Sequence, residues 1–222
     1  MAMFNWLAAW LGSTRDSRLA ALNPPVAPDS HKNVHTFMTP EAYVIINPKP
    51  PVTSRFEQSP DFRSNGDVAR KIDLMVLHCT EGSFLSAVAW LTAKDDTLVS
   101  AHYTVSKAGH VVQTVGINDV AYHAGGTKEK PSSWRGRGNI NGRSIGVEIE
   151  NKNDGLDPYT PMQLSVCLWL ALRTCRQNNM TAEQVVGHED VDPGRKTDPR
   201  NFPWPLFRTS LAVHLSRPGG IA

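Results

Sequence analysis

The sequence predicts an α/β domain, a central mixed β-sheet flanked by helices, preceded by an irregular N-terminal arm. Three observations predict it. From residue 71 onward, strand-like and helix-like segments alternate. One near-continuous apolar run, KIDLMVLH, has the pattern of a strand buried on both faces. One further stretch, AHYTVSKAGHVVQTV, reads as two strands around a Lys107-Ala108-Gly109 turn, so the sheet contains an antiparallel pair. The bulk numbers agree. A chain of 222 residues can bury one substantial core. Its 40% apolar and 20% charged residues are ordinary for a globular protein. A net charge of +2 is too small to argue for a nucleic-acid partner.

Taken in order, the first twelve residues, MAMFNWLAAWLG, are apolar nearly all round. They are read as a helix that docks on the protein, on a partner or on a membrane surface. An atypical export signal and a start without structure of its own are the alternatives. No clear cleavable signal peptide is present, because the first positive charge, Arg15, follows the apolar stretch. Nor does any apolar run approach the ~20 residues of a membrane span. Residues 13 to about 68 are rich in Pro, Asn, Ser and Asp, and NPPVAPDS and NPKPPVTS read as extended linkers. TFMTPEAYVII between them can hold a short strand. The expected organisation is therefore an apolar segment and Pro-rich arm over 1–68, a domain over 69–212 and a tail over 213–222.

Within that domain, SFLSAVAWLTA reads as a helix with Leu85, Val88 and Leu91 on one side. SIGVEIEN alternates, with Ile145, Val147 and Ile149 on one face and Glu148 and Glu150 on the other. TPMQLSVCLWLALRTCRQNN is the clearest helix. Thr160 can N-cap it, Pro161 suits its first turn, and Gln163 completes a capping box. Its inner stripe is Leu164, Cys167, Leu168, Ala171 and Cys175. Cys167 and Cys175 stand about 12 Å apart along such a helix, too far to bridge. Cys79 has no partner in view, so the three cysteines do not describe a disulfide framework.

Chemistry-bearing residues gather at strand ends and in one loop. His78 ends the buried strand, and Glu148 sits in the alternating one. GHEDVDPGRKTDP, residues 187–199, carries His188, Asp190, Asp192, Lys196 and Asp198 between residues that shape a loop. Two histidines and one aspartate satisfy the three-ligand requirement of a catalytic zinc site. Spacing leaves Asp190, Asp192 and Asp198 in competition for the third place. A nearby carboxylate such as Glu148 could move a proton, and a cation such as Lys196 could stabilise an oxyanion. Cys79 follows His78 in the strand, points to the opposite face and is read as core. His31, His35, His110 and His214 are read as surface or arm residues. Trp6, Trp10, Trp90, Trp169 and Trp204 are read as packing residues. Trp134, Arg135 and Arg137 lie in a polar loop that either edges a groove or is simply solvated.

IDLMVLHCT, SAHYTVSKAGHVVQTV, AYHAG, SIGVEIEN and VVGHEDVDPGRKTDP followed by FPW occur in an order that resembles a known family. This is the zinc-dependent N-acetylmuramoyl-L-alanine amidases, which include phage T7 lysozyme and the peptidoglycan recognition proteins. The resemblance spans roughly residues 70 to 208, and SWRGRGNINGRSIGVEIEN resembles the bacterial wall-cleaving branch. It implies that His78, His188 and Asp198 bind Zn2+, that Glu148 is the catalytic base, and that Lys196 is its cationic companion. Where other members carry a tyrosine on the SAH strand, this chain has Ala101. His102 and His123 lie in segments that line the family's groove, so substrate contact is expected of them alongside plain structural bonding. The implied reaction is hydrolysis of the amide joining N-acetylmuramic acid to L-alanine. The implied partners are peptidoglycan or muropeptides, and the place of action is the cell wall, whether periplasmic, extracellular or reached at lysis. A phage endolysin, an envelope enzyme and a secreted toxin all fit. The alternative is a non-catalytic peptidoglycan-binding module of the same fold. Oligomeric state leaves no signal in the sequence.

Overall fold

A computed structural model describes residues 45–94 and 97–218. The expected helix over residues 1–12 lies outside the described residues, as do His31 and His35. Of the strand expected in TFMTPEAYVII only Ile45 and Ile46 are described, and their backbone is irregular.

In chain order the strands are β1 (Thr53–Phe56), β2 (Phe62–Arg63), β3 (Leu74–Cys79), β4 (Tyr103–Val105), β5 (His110–Gln113), β6 (Val120–Ala121), β7 (Ser144–Ile149) and β8 (Val185–Gly187). The helices are α1 (Phe84–Leu91), α2 (Ile140–Arg143), α3 (Pro161–Asn178), α4 (His188–Val191) and α5 (Trp204–Ser216). Six strands form one sheet in the order β1-β5-β4-β7-β3-β8, and β2 pairs with β6 in a separate antiparallel ribbon. β4, β7, β3 and β8 run parallel to one another, whereas β5 is antiparallel to β4. The sheet is mixed and flanked by helices, as the sequence predicts.

Period-two alternation sorts the side chains of the central strands. Met75, Leu77, Ile145, Val147 and Ile149 form the main core with Leu168 of α3 and Phe207 and Leu211 of α5. Leu74 and Val76 turn the other way and pack on Ile140, Val186 and Val191. Both faces of β3 are covered, which is why its apolar run shows no polar alternation. Burying a Leu or Val of this kind stabilises the fold by about 1.5–3 kcal/mol.

Local signals behave as expected in the clearest places. Thr160 Oγ1 accepts from Gln163 N at 3.1 Å, and Gln163 Oε1 accepts from Thr160 N at 3.0 Å. Gln163 then donates to Glu150 O at 2.8 Å, which ties the start of α3 to the chain leaving β7. The β4–β5 hairpin turns through Gly109 at φ +84°, a left-handed conformation that glycine adopts without steric cost. The three cysteines are free and buried.

Other readings are corrected. Residues 53–56, expected as irregular arm, form an edge strand paired in parallel with β5. TSRF is exposed at every position, so no apolar alternation betrays it. At the other end, α5 runs through the boundary expected at residue 212. His214, expected on the surface, is buried there and bonds Ile46 O at 3.0 Å. Leu85, grouped with Val88 and Leu91 on one side of α1, is 69% exposed; Ala87, Val88 and Leu91 form the buried face. Among the described residues no helix is long and apolar enough to cross a membrane.

Candidate metal centre and active site

Parallel strands bring their carboxyl ends to one edge of a sheet, and side chains that follow or end them converge there. His78 is the fifth residue of β3, Glu148 the fifth of β7, and His188 directly follows β8. The register pairs His78 with Glu148, so the two side chains emerge next to each other on one face. The loop after α4 returns Asp198 to His188. Glu189 N donates to Asp198 O at 3.0 Å, and Pro199 packs over Gly187, where an added Cβ would lie 2.9 Å from the proline Cδ. Gly187 and Pro199 therefore close the loop over the end of β8.

Three buried donor atoms meet as a triangle. His78 Nδ1 lies 2.9 Å from His188 Nδ1, His188 Nδ1 3.2 Å from Asp198 Oδ2, and His78 Nδ1 3.4 Å from Asp198 Oδ2. Ligands held about 2.0–2.1 Å from a tetrahedral zinc stand about 3.3 Å apart, so the triangle has the size such an ion requires. The donor chemistry fits as well. Burial first, and the neighbouring His188 second, push the His78 pKa down to about 4, so its imidazole is neutral at pH 7. Burial opposes charge on Asp198, but its contacts with His188 and His78 outweigh it and hold the carboxyl well below the usual range. A carboxylate and two facing imidazole nitrogens make a buried site that attracts a cation.

Glu148 stands on the wall of the same cleft, with Lys196, Trp90 and His123. This cleft has a volume of about 160 Å³, and a neighbouring groove of about 480 Å³ shares Trp90, His123, His188 and Lys196 with it. Burial, then the charge of Asp198, raise the Glu148 pKa well above that of an ordinary carboxylate, while Lys196 pulls it down. One of its oxygens, Oε2, is buried and has no hydrogen-bond partner among the described residues. A carboxyl so placed holds a proton more readily than an exposed one. A further cavity of about 410 Å³, lined by Arg70, Trp169 and Arg173, contains none of these residues.

A profile of the N-acetylmuramoyl-L-alanine amidase family matches residues 68–201, which include His78, Glu148, His188, Lys196 and Asp198. The chain belongs to this amidase family. It is 35% identical to the N-acetylmuramoyl-L-alanine amidase AmiD of Escherichia coli K12 in an alignment that covers 60% of this chain and 51% of AmiD. The chain thus spans about half the length of the curated relatives it matches. Among solved structures, a crystal structure of AmpD aligns with a TM-score of 0.58 at 27% identity, covering 72% of this chain and 94% of that one. A complex of E. coli AmiD with the substrate anhydro-N-acetylmuramic acid-L-Ala-D-γ-Glu-L-Lys aligns with a TM-score of 0.55 at 32% identity, covering 67% of this chain and 60% of that one.

Within this amidase fold the competing residues are disposed of by other partners. Asp190 Oδ2 accepts from Gly187 N at 2.9 Å. Asp192 is buried against Arg195 and Ser132. His123 reaches the site, with Nδ1 3.0 Å from His78 Nε2. His102 does not line the cleft. It is fully buried, its Nδ1 accepts from Gly146 N at 3.0 Å, and its Nε2 lies 3.2 Å from Asp119 O. Cys79 is core, as expected, with Sγ 3.1 Å from Tyr159 Oη, and burial pushes its thiol pKa up to about 12. Arg137 pairs with Asp73 at 2.8 Å rather than edging the cleft. Arg135 stacks on Trp134 at 4.2 Å. Trp90, read as a packing residue, is 50% exposed and forms cleft wall instead. Glu81, also on that wall, was not foreseen; it follows the HCT segment with no pattern of its own.

Proposed function

We propose that the chain is a zinc-dependent hydrolase of the amide between N-acetylmuramic acid and L-alanine, acting on peptidoglycan or its muropeptide fragments at the cell wall. The observation that carries this reading is the buried triangle of His78 Nδ1, His188 Nδ1 and Asp198 Oδ2 beside Glu148. The names of AmiD and its substrate complex support the substrate class. The catalytic unit would include β1 and α5, since both are built into the sheet and core.

His78, His188 and Asp198 would hold the ion. Zinc held there would polarise the scissile carbonyl and acidify a water. Glu148 takes a proton from the attacking water and delivers it to the alanine nitrogen as the carbon–nitrogen bond breaks. Its raised proton affinity suits both halves of that task. Lys196, on the cleft wall, supplies positive charge where the carbonyl oxygen becomes negative. The products are a muramic acid carboxylate and a peptide with a free alanine amine.

The test combines metal content with product analysis. Purified protein should carry one zinc per chain and release peptides with new L-alanine amino termini from peptidoglycan. Chelation should stop the release, and added zinc should restore it. Wall binding without new amino termini, in protein loaded with zinc, would refute the enzymatic reading.

A further inference from the structure

The hydrogen bonds behind His78 have only one consistent direction. Ser144 Oγ lies 2.6 Å from Ile140 O, and a carbonyl can only accept. The hydroxyl has one proton and gives it to that carbonyl. Ser144 Oγ therefore meets His123 Nε2, 2.9 Å away, as an acceptor, and the proton between them belongs to His123. A neutral imidazole has a single N–H, so His123 Nδ1 offers a lone pair. It lies 3.0 Å from His78 Nε2, which must then be the protonated nitrogen of His78. The remaining nitrogen, His78 Nδ1, is left as a lone pair within the triangle formed with His188 and Asp198.

The intermediate ring is held from several sides. Asn141 Oδ1 accepts from His123 N at 3.2 Å and from Ala124 N at 2.7 Å. Gly146, in the middle of buried β7, leaves the slot the ring fills, since a Cβ there would lie 2.4 Å from His123 Cγ. Both ring nitrogens of His123 are engaged inside the protein, which leaves neither for a substrate.

We propose that His123 and Ser144 are positioning residues: anchored on Ile140 O, they hold His78 in the tautomer whose Nδ1 lone pair faces the metal site. This rests on reading the triangle as that site. Without the relay, His78 could place its proton on Nδ1, where it would block ligation. A shift of proton between the two nitrogens changes metal affinity without requiring any change of fold.

The test has two parts. In full-length, metal-free protein labelled with ¹⁵N-histidine, long-range proton–nitrogen spectra report which nitrogen carries each proton. His78 and His123 are both expected to be protonated at Nε2. Zinc affinity is then measured by chelator competition for the wild type, Ser144→Ala, His123→Leu and His123→Asn. Ser144→Ala and His123→Leu should bind zinc about 10–100-fold more weakly. Asn can put an acceptor oxygen where Nδ1 stood, so His123→Asn should stay within about threefold of wild type. A proton on Nδ1 of His78, or wild-type affinity in His123→Leu, overturns the proposal. Should His123→Leu fail to fold, the wild-type spectra and Ser144→Ala decide. Failure of the metal reading shows separately, as a wild type that binds no zinc whatever its tautomers, and the proposal falls with it.

Discussion

A methyl group on Gly146 measures how closely the His123 ring is seated. An ideal Cβ there would stand 2.4 Å from Cγ, 2.6 Å from Cδ2 and 2.7 Å from Nδ1 of His123. Non-bonded carbons rest at about 3.5–4.0 Å, so the ring must retreat by roughly 1 Å. Its hydrogen bonds are 2.9 Å to Ser144 Oγ and 3.0 Å to His78 Nε2, and a retreat of that size carries them past about 3.5 Å, where they cease to count. Overpacking a buried site costs about 1–3 kcal/mol, and two lost hydrogen bonds add about 1 kcal/mol each. Replacing a strand glycine by alanine offsets roughly 0.5–1 kcal/mol of this. Gly146→Ala should therefore lose about 2–4 kcal/mol, which for a chain of this size lowers Tm by roughly 5–15 °C. The assay is thermal and urea unfolding of metal-free protein, with Gly138→Ala as the control. At Gly138 the nearest atom to an added Cβ is Ser132 O at 3.8 Å, an ordinary contact, so that variant should stay within about 0.5 kcal/mol of wild type. A Gly146→Ala protein that melts with the wild type would refute the seating of His123 described above.

Three further outcomes are expected. Glu148→Gln removes the proposed proton acceptor while leaving the donor triangle in place. Turnover should fall by about 10²–10⁴-fold with zinc content unchanged, and near-full activity would show that another group moves the proton. His102 titrates far below its ordinary value, pushed to about 3 by burial and then by the Arg70 charge. The unfolded chain takes this proton near pH 6.5 and the folded chain refuses it, so its effect on stability is absent above pH 6.5 and grows as pH falls toward 3. One such group steepens the loss by about 1.4 kcal/mol per pH unit. In urea melts from pH 7 to 4, His102→Gln, which keeps an acceptor for Gly146 N, should lose that share of the slope; unchanged slopes would contradict it. Thr160→Ala deletes the cap of α3 and should cost about 1 kcal/mol in the same melts, with Thr160→Ser restoring most of it.

Elements with strong local chemistry were legible. The apolar run of β3, the Gly109 turn and the Thr160–Gln163 box each carry their cause within a few residues. β1 and α5 were not, because what fixes them lies far along the chain: β1 pairs with β5 across 57 positions, and His214 of α5 bonds Ile46 O across 168. The orientation of Trp90 was hidden for a related reason. Its helix is apolar on more than one side, so only the position of the sheet decides which side is wall and which is core.

The candidate metal site shows the same division more sharply. His78 and Glu148 are neighbours only because β3 and β7 pair in one register; a slip by one residue would set Ile149 beside His78 and turn Glu148 toward α3. Alternation reveals which residues share a face of one strand, and it is silent about the strand next door. The aspartates of residues 187–199 make a second case. Spacing gave Asp190, Asp192 and Asp198 equal standing. What separates them is competition for partners: α4 turns Asp190 back onto Gly187 N, and Arg195 and Ser132 take Asp192. Asp198 is left to face two buried imidazoles, and its contacts with them favour its charged form despite its burial. A candidate ligand here is picked out less by its own residue type than by the absence of any closer use for its oxygens.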